Sequence, residues 1–289
     1  MNIKIIAINF FFVSVLVGGA LSARAQTVSF SFSPTQIIQG EPLLVRIEGV
    51  TSTASIKSLK FDGAKIGAFM YQNKPTAFIG IDLNKKPGDY ELIAELSDGQ
   101  ILKADVEVGE RQKIEAPLGI PEKLGGNTPA GQSKLISTLA LENQSLANLR
   151  TGTKAFWTEK FLSPLKKVFI TDEYGYSRQT GEYSIAHKGT DYRASEGTAV
   201  MAANRGVVRV AKTYRNYGKT VVVDHGLGLM TFYMHLSKIK VNVGELARRG
   251  QVIGLSGQTG YAESPHLHFT VRLNGTSIDP AKFLGLFEE

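Results

Sequence analysis

Hydrophobic and polar side chains alternate in short runs over residues 27–109, and Gly, Pro and Asp residues separate the runs. A period of two places successive side chains on opposite faces of a β-strand. The strands predicted from this alternation are residues 28–32, 43–47, 56–61, 76–83, 90–96 and 101–108. Short strands at this spacing, separated by turns, predict a small β-sandwich over residues 26–110.

The pattern changes after residue 110, where Pro and Gly become frequent. Apolar residues at positions 135, 136, 139, 146 and 149 recur there at helical spacing. Ser133 is the expected N-cap, and Gly152 lies just beyond the expected end at Arg150. Residues 111–160 are therefore predicted to form a linker with one amphipathic helix, which packs on a flanking domain.

Residues 161–289 return to short apolar runs with many glycines. The strands predicted in this part are residues 206–211, 220–224, 230–234, 251–256 and 266–273. The predicted fold class is mainly β, with an N-terminal β-sandwich, a helical linker and a C-terminal antiparallel β-sheet domain.

The first 25 residues form a separate segment. Lys4 precedes a nearly unbroken apolar run, and the segment ends in Ala23-Arg24-Ala25. This pattern predicts a signal peptide over residues 1–25, and the alternative is an uncleaved membrane anchor. We therefore expect export to the periplasm or cell envelope, with secretion into the medium as the other outcome.

Composition narrows the classes of partner. The chain has 289 residues, a formal charge of +7, 20% charged residues and no Cys, so no disulfide stabilises an exported fold. A modest positive excess suits an anionic cell-wall polymer. Nucleic-acid binding is not expected, because the basic residues are scattered and lack interleaved aromatic residues.

All five histidines lie in the C-terminal domain, which concentrates metal-ligand chemistry there. A catalytic zinc site takes three protein ligands and leaves a fourth position for water. The candidates are His187, Asp191, His235, His266 and His268, whereas His225 ends a predicted strand at a turn and is expected to be structural or exposed.

His266 and His268 are two residues apart on a predicted strand, so their side chains point to the same face. Both can bind one ion, or one can bind while its neighbour reaches the metal-bound water. The spacing alone does not decide between these two arrangements.

Three motifs occur in a fixed order: His187-x-x-x-Asp191, Tyr233-x-His235-Leu236 and Pro265-His266-x-His268-Phe269. Together with the Gly-rich segments between them, they resemble the lysostaphin-type (M23) zinc endopeptidases over about residues 163–283. The resemblance implies an M23-type peptidase domain at residues 161–289. It also implies Zn²⁺ held by His187, Asp191 and His268, with His235 and His266 as catalytic residues beside the open position.

The resemblance implies a function as well: zinc-dependent hydrolysis of peptide cross-links between peptidoglycan stem peptides. The bond can be a D-alanyl–diaminopimelate cross-link, a glycine bridge or another, and the plain signal peptide without a wall-binding repeat domain favours the first. The alternative is a non-catalytic envelope scaffold or an activator of other cell-wall hydrolases. The segment at 86–92 is similar to immunoglobulin-like domains, so the sandwich is expected to be an accessory domain, with an envelope protein as one candidate partner. No sequence feature sets the oligomeric state.

Two positions depart from the family pattern: Ser264 stands where the family usually has Gly, and Thr270 where it often has Glu. We expect both to affect only packing or the substrate groove. Tyr233 or another tyrosine is a candidate to assist the oxyanion. Members of the family exist in which a preceding segment blocks the groove, and Asn127, Asn143 and Asn148 of the linker are candidates for an additional zinc ligand.

Overall fold

A computed structural model describes residues 27–287, so the predicted signal peptide at residues 1–25 lies outside the described residues. The fold is mainly β, as the sequence predicts. The first nine strands are β1 (Ser29–Ser33), β2 (Ile37–Ile38), β3 (Pro42–Glu48), β4 (Ile56–Phe61), β5 (Ala64–Lys65), β6 (Phe69–Tyr71), β7 (Lys74–Gly80), β8 (Gly88–Leu96) and β9 (Ile101–Gly109).

These strands form two facing sheets, with orders β1-β3-β7-β6 and β2-β9-β8-β4-β5. Alternate side chains of both sheets meet in one buried core, which includes Val45 and Ile79 from the first sheet and Leu92 and Val108 from the second. This is the arrangement of a β-sandwich.

The linker contains β10 (Glu115–Pro117), a 3₁₀ turn (Glu122–Leu124) and α1 (Pro129–Ala147). The prediction of Ser133 as the N-cap is wrong, because the N-cap is Thr128, five residues earlier. The Thr128 hydroxyl accepts a hydrogen bond from the Gly131 N–H at 3.0 Å, and Pro129 occupies the first helical position. A Thr-Pro pair favours a helix start, since Pro has the helical φ and no N–H that needs a partner.

The C-terminal elements are β11 (Ile170–Asp172), β12 (Ser177–Thr180), β13 (Tyr183–Ala186), β14 (Thr190–Arg193), β15 (Ala199–Met201), β16 (Gly206–Tyr214), β17 (Gly218–Gly226), β18 (Leu229–Leu236), β19 (Lys238–Ile239), β20 (Leu246–Ala247), β21 (Val252–Leu255), β22 (His266–Leu273), β23 (Thr276–Ile278) and α2 (Pro280–Gly285). The largest sheet has the order β11-β14-β22-β18-β17-β16-β20, with β23 also paired to β22. Smaller sheets are β15-β21-β19 and β10-β12-β13.

The two faces of the large sheet have different coverings. Leu267, Phe269 and Val271 of β22 enter the main C-terminal core. On the opposite face, Phe232 and Met234 of β18 belong to a second hydrophobic core, which also contains Leu146 of α1 and buried residues of β16 and β17. The linker helix therefore lies on the face toward which His266 and His268 alternate.

The sandwich and the C-terminal sheet share one aromatic core. Phe78 of β7 lies with its ring centroid 6.1 Å from that of Trp157 and 5.9 Å from that of Phe283 in α2. Arg111 also reaches across, and its Nη2 lies 3.1 Å from Oδ2 of Asp279. Burial of such large rings stabilises both parts together.

Among residues 27–287, neither α-helix combines the length and the apolar character needed to cross a bilayer.

Candidate metal centre and catalytic cleft

The pairing of β14 with β22 brings a carboxylate and an imidazole together. Asp191 lies directly opposite His268 in this antiparallel register, and His187 enters from the turn before β14. Asp191 Oδ1 lies 2.7 Å from His268 Nδ1 and 3.1 Å from His187 Nε2, and the two ring nitrogens lie 3.1 Å apart. Three potential ligand atoms therefore converge on one point.

The outer nitrogens of the two rings show which tautomers are present. His187 Nδ1 lies 2.8 Å from the Glu173 carbonyl oxygen, which only accepts, so this nitrogen carries the proton. The Thr270 hydroxyl donates to the Lys188 carbonyl at 3.0 Å, so its oxygen accepts from His268 Nε2–H, also at 3.0 Å. In the neutral rings, His187 Nε2 and His268 Nδ1 then both present a lone pair to the Asp191 carboxylate.

Three acceptors without a shared proton repel one another unless a cation lies between them. A tetrahedral ion with bonds of about 2.0–2.1 Å holds its ligand atoms about 3.3 Å apart, which is slightly more than the separations of 2.7–3.1 Å here. Two imidazoles and one carboxylate, each ring held by an outer oxygen acceptor, are a donor set typical of Zn²⁺. The residues present fit zinc.

Arg178 of β12 holds the second oxygen of the carboxylate. Its Nη2 donates to Asp191 Oδ2 at 2.9 Å and also forms an ion pair with Asp172. Burial by itself raises the pKa of Asp191, but the neighbouring His187 and His268 charges outweigh burial, so the pKa lies well below its ordinary value. Asp191 is therefore ionised at neutral pH.

A β-bulge brings His235 to the face of the large sheet that carries Asp191 and His268, which is called the metal face below. Met234 and His235 of β18 together stand opposite the single residue Thr220 of β17. His235 has a φ of 60°, in the left-handed region that non-glycine residues rarely adopt. Strict alternation sends Tyr233 and its i+2 neighbour His235 to the same core face, so the bulge is what redirects the imidazole.

His235 and His266 form a second pair beside the three ligand atoms. Their ring centroids lie 4.8 Å apart, and His266 Nε2 lies 3.9 Å from Asp191 Oδ1. His235 Nδ1 donates to the Thr259 carbonyl at 2.9 Å, and His266 Nδ1 donates to the Ser264 carbonyl at 2.8 Å. Both Nε2 atoms are therefore acceptors when the rings are neutral.

The environments of these two rings differ. Burial, and then the nearby His266 and His268 charges, lower the pKa of His235 to about 3. His235 is therefore neutral at physiological pH. His266, by contrast, lies at the partly exposed rim.

The metal face forms the floor of a cleft of about 920 Å³. One side of α1, including Leu139 and Asn143, lines this cleft together with residues 117–119 of the linker. The linker is fixed there because β10 pairs in parallel with β12 and because the Tyr261 hydroxyl donates to the Gly119 carbonyl. The linker thus forms part of the wall of the cleft.

The candidate linker ligands are engaged elsewhere. Asn127 Oδ1 accepts from the Ile120 N–H at 2.7 Å, and Asn143 Oδ1 accepts from the Tyr217 hydroxyl at 2.6 Å. Asn148 is the C-cap residue of α1, where its backbone N–H donates to the Gln144 carbonyl. The hypothesis that one of them supplies a zinc ligand gains no support from these contacts.

Two other candidates belong to the interior. Tyr233 is completely buried in the main core, where its hydroxyl accepts from the Ala203 N–H and from Thr231, so the suggested oxyanion role does not fit. His225 is also completely buried, between the Arg205 carbonyl and the Thr231 hydroxyl. His225 is therefore structural, as expected, but it is not exposed.

Sequence reasoning missed the residues that hold the ligands. The expectation that Thr270 affects only packing or the substrate groove is wrong, because its hydroxyl orients His268. The alternation along β22 was a usable signal, since Thr270 shares the face of His268. No signal in the sequence pointed to Arg178 or to the Glu173 carbonyl.

Comparisons with known proteins agree with this geometry. Residues 185–280 match the family described as Peptidase family M23. Peptidoglycan DD-endopeptidase ShyA from Vibrio cholerae is 43% identical over 96 residues, which are 33% of this chain and 22% of ShyA. Peptidoglycan DD-endopeptidase ShyC from the same organism is 33% identical over 189 residues, which are 61% of this chain and 42% of ShyC. The chain thus spans less than half of either relative.

A crystal structure from Pseudomonas aeruginosa assigned to peptidase M23 has a TM-score of 0.61 and is 24% identical. It covers 87% of this chain and 96% of its own, so the likeness in fold extends over the sandwich as well as the C-terminal sheet. The C-terminal domain, over residues 185–280, thus matches peptidase family M23, and the converging His187, Asp191 and His268 lie within that match.

Proposed function

We propose that the protein is a zinc-dependent endopeptidase that hydrolyses peptide cross-links in bacterial peptidoglycan. The observation that carries the proposal is the pair His235 and His266, whose rings lie beside a set of three potential ligand atoms. A site that only bound zinc for structural reasons needs neither ring. Relatives named as peptidoglycan DD-endopeptidases support the class of substrate.

His187, Asp191 and His268 are proposed to hold the zinc ion. When bound, Zn²⁺ polarises the scissile carbonyl and lowers the pKa of a water to about 7. The Glu173 carbonyl, Thr270 and Arg178 keep the three ligand atoms directed to one point. Such outer contacts fix the orientation of the ligands before substrate arrives.

The two remaining histidines are proposed to handle the proton. His266 Nε2 accepts the proton of the attacking water and then gives it to the leaving amine, because its partly exposed position tolerates the charged ring. His235 stays neutral because it is buried and its pKa is about 3. It positions the water through Nε2, while its Nδ1–H remains bonded to Thr259.

The bond proposed for cleavage is the D-alanyl–diaminopimelate cross-link, and the proposed location is the periplasm or cell envelope. A cleft of about 920 Å³ accommodates an extended peptide of a few residues. Residues that line it include Arg178 and Arg193. The positive charge of Arg193 suits stem peptides, which carry free carboxylates, whereas Arg178 is already paired with Asp172 and Asp191.

The experiment is digestion of purified cross-linked sacculi by the full chain, with and without a zinc chelator. We expect the fraction of cross-linked peptides to fall, the chelator to stop the reaction, and added zinc to restore it. His266→Ala is the matched variant, and it should bind zinc and sacculi but turn over about 10²–10⁴ times more slowly. Zinc-loaded protein that binds sacculi and leaves every cross-link intact would establish the alternative, a non-catalytic scaffold or activator.

A further inference from the structure

An arginine stands at the edge of the metal face, one strand away from the catalytic pair. Arg193 of β14 is the direct cross-strand partner of His266 in β22, just as Asp191 is the partner of His268. Side chains at directly opposite positions lie on the same face of a sheet. Arg193 therefore belongs to the same face as the three ligand atoms, and it lines the cleft.

An exposed aromatic ring supports its guanidinium. The Arg193 side chain stacks over Phe169, with Cζ 4.2 Å from the ring centroid, and the backbone N–H of Arg193 donates to the Phe169 carbonyl at 2.8 Å. Phe169 remains 55% exposed beside the edge strand β11. A ring under the guanidinium limits the rotamers of a long side chain, so less entropy is lost when the guanidinium binds a ligand.

The other arginines of the cleft have partners. Arg178 is paired with Asp172 and Asp191, and Arg272 donates to the Leu146 carbonyl and the Ser277 hydroxyl. Arg193 forms no ion pair within residues 27–287, so its guanidinium is available to an anion from outside.

The position of Arg193 defines what that anion is attached to. Two residues along a strand span roughly 6.5–7 Å, and Arg193 is two residues from the proposed ligand Asp191. An extended substrate peptide covers the same distance in two residues. The guanidinium therefore reaches a group within about two residues of the scissile amide.

From this placement we infer that Arg193 recognises a free carboxylate beside the scissile bond, an assignment that rests on the proposed function. Diaminopimelate carries two amines and two carboxylates. When one amine is acylated in a direct cross-link, the carbon that bears it keeps a free carboxylate, whereas a glycine bridge offers none at that position. The planar guanidinium binds a carboxylate through two parallel hydrogen bonds.

The experiment compares two D-alanyl–diaminopimelate cross-linked dimers that differ only in this carboxylate, which is free in one and a carboxamide in the other. We expect the wild-type protein to cleave the carboxylate dimer with a kcat/KM about tenfold to a hundredfold higher, the range typical of a hydrogen-bonded charge pair. Arg193→Gln should lower kcat/KM for the carboxylate dimer and leave kcat/KM for the carboxamide dimer unchanged, so the preference for the carboxylate should disappear. Arg193→Lys should retain only part of it, because lysine lacks the fork of donors.

Arg248→Gln is the matched control, since Arg248 is also exposed but follows β20 at the opposite edge of the large sheet. It should keep the wild-type preference. Equal cleavage of both dimers by the wild-type protein, or an unchanged preference in Arg193→Gln, would overturn the assignment while leaving the proposed function in place. The assignment also fails if Lys188→Gln, a variant of another cleft residue, abolishes the preference and Arg193→Gln does not. Cleavage of neither dimer at saturating zinc refutes the proposed function and this assignment with it.

Discussion

Replacing Thr270 by valine removes one hydroxyl and keeps the shape of the side chain. In the native protein this hydroxyl accepts from His268 Nε2–H and donates to the Lys188 carbonyl, each at 3.0 Å. With zinc bound, His268 has to keep Nδ1 on the ion, so its Nε2–H faces the valine without a partner. Without zinc, the ring is free to turn or to change tautomer and escape that penalty.

A buried donor left without an acceptor costs about 1–3 kcal/mol. Because the zinc-bound form bears most of this cost, the affinity for zinc should fall about tenfold to a hundredfold, the size typical of such outer contacts. The assay is competition with a chromogenic chelator. Activity should recover when zinc is raised to saturation, since His235 and His266, the proposed catalytic residues, are untouched.

Two threonine variants serve as controls for this substitution. Thr270→Ser keeps the hydroxyl and should keep the affinity for zinc. Thr190→Val changes another buried threonine, next to Asp191 in sequence, whose hydroxyl has no hydrogen-bond partner. It should therefore leave zinc binding unchanged. Equal affinity of Thr270→Val and the wild-type protein would refute the idea that this hydroxyl orients His268.

Three further predictions concern close packing, backbone strain and pH. Gly189→Ala should reduce the zinc content of the purified protein and lower its free energy of unfolding by about 1–3 kcal/mol. The reason is that a Cβ at this position would lie 2.4 Å from His268 Nε2. Gly67→Ala is the control and should change neither property, because the space around its Cβ is open. His235→Gly and His235→Ala should both abolish hydrolysis. The free energy of unfolding should be about 1 kcal/mol higher for His235→Gly than for His235→Ala, because φ at this position is 60° and glycine adopts it without strain. Equal midpoints of chemical denaturation for the two variants would contradict this strain. Burial lowers the pKa of His225 from 6.5 to about 4, so as the pH falls His225 is protonated in the unfolded chain before it is protonated in the folded protein. The contribution of neutral His225 to the free energy of unfolding is therefore fully present above pH 6.5 and is lost as the pH falls towards 4. For the metal-free protein this amounts to about 3 kcal/mol, and a pH dependence of urea unfolding that is no flatter in His225→Asn would exclude His225 as its source.

The regular elements were predictable because they follow simple periods. The alternation of apolar and polar residues predicted strands at residues 56–61 and 266–273, and β4 and β22 have these same bounds in the structure. The same period put His266 and His268 on one face, and β22 has this arrangement, with Leu267 and Phe269 in the core. Hydrophobic burial on one side of a sheet determines this pattern, so a sequence reports it directly.

The parts that were missed depend on exceptions to those periods. The bulge that redirects His235 needs one extra residue in β18, and its register is set by pairing with β17, which a single strand does not reveal. The contacts of Arg178 join β12 to β14 through tertiary geometry alone. The start of α1 was missed because a capping pair, rather than the apolar stripe, determines it.

The shared aromatic core changes how an inhibitory role of the linker is tested. The sequence suggests deleting residues 26–155, which would activate the enzyme if the preceding segments block the groove. The structure shows that this deletion removes Tyr71 and Phe78 from the core that contains Trp157, together with all of α1. Loss of large buried rings costs about 3–5 kcal/mol each, so the truncated chain should unfold. Tyr261→Phe, which removes the bond to the Gly119 carbonyl, is a milder perturbation of the linker.

Titration of the metal-free protein with zinc shows whether one ion at His187, Asp191 and His268 is enough for hydrolysis. A defined D-alanyl–diaminopimelate dimer is the substrate, and the rate of cross-link hydrolysis is followed by mass spectrometry. With His187, Asp191 and His268 as the only ligands, the rate should rise linearly to one zinc per chain and then remain constant. Asp191→Ala should show no such rise. Hydrolysis that is independent of zinc, or no hydrolysis by wild-type protein at one zinc per chain, would contradict zinc-dependent cleavage at this site.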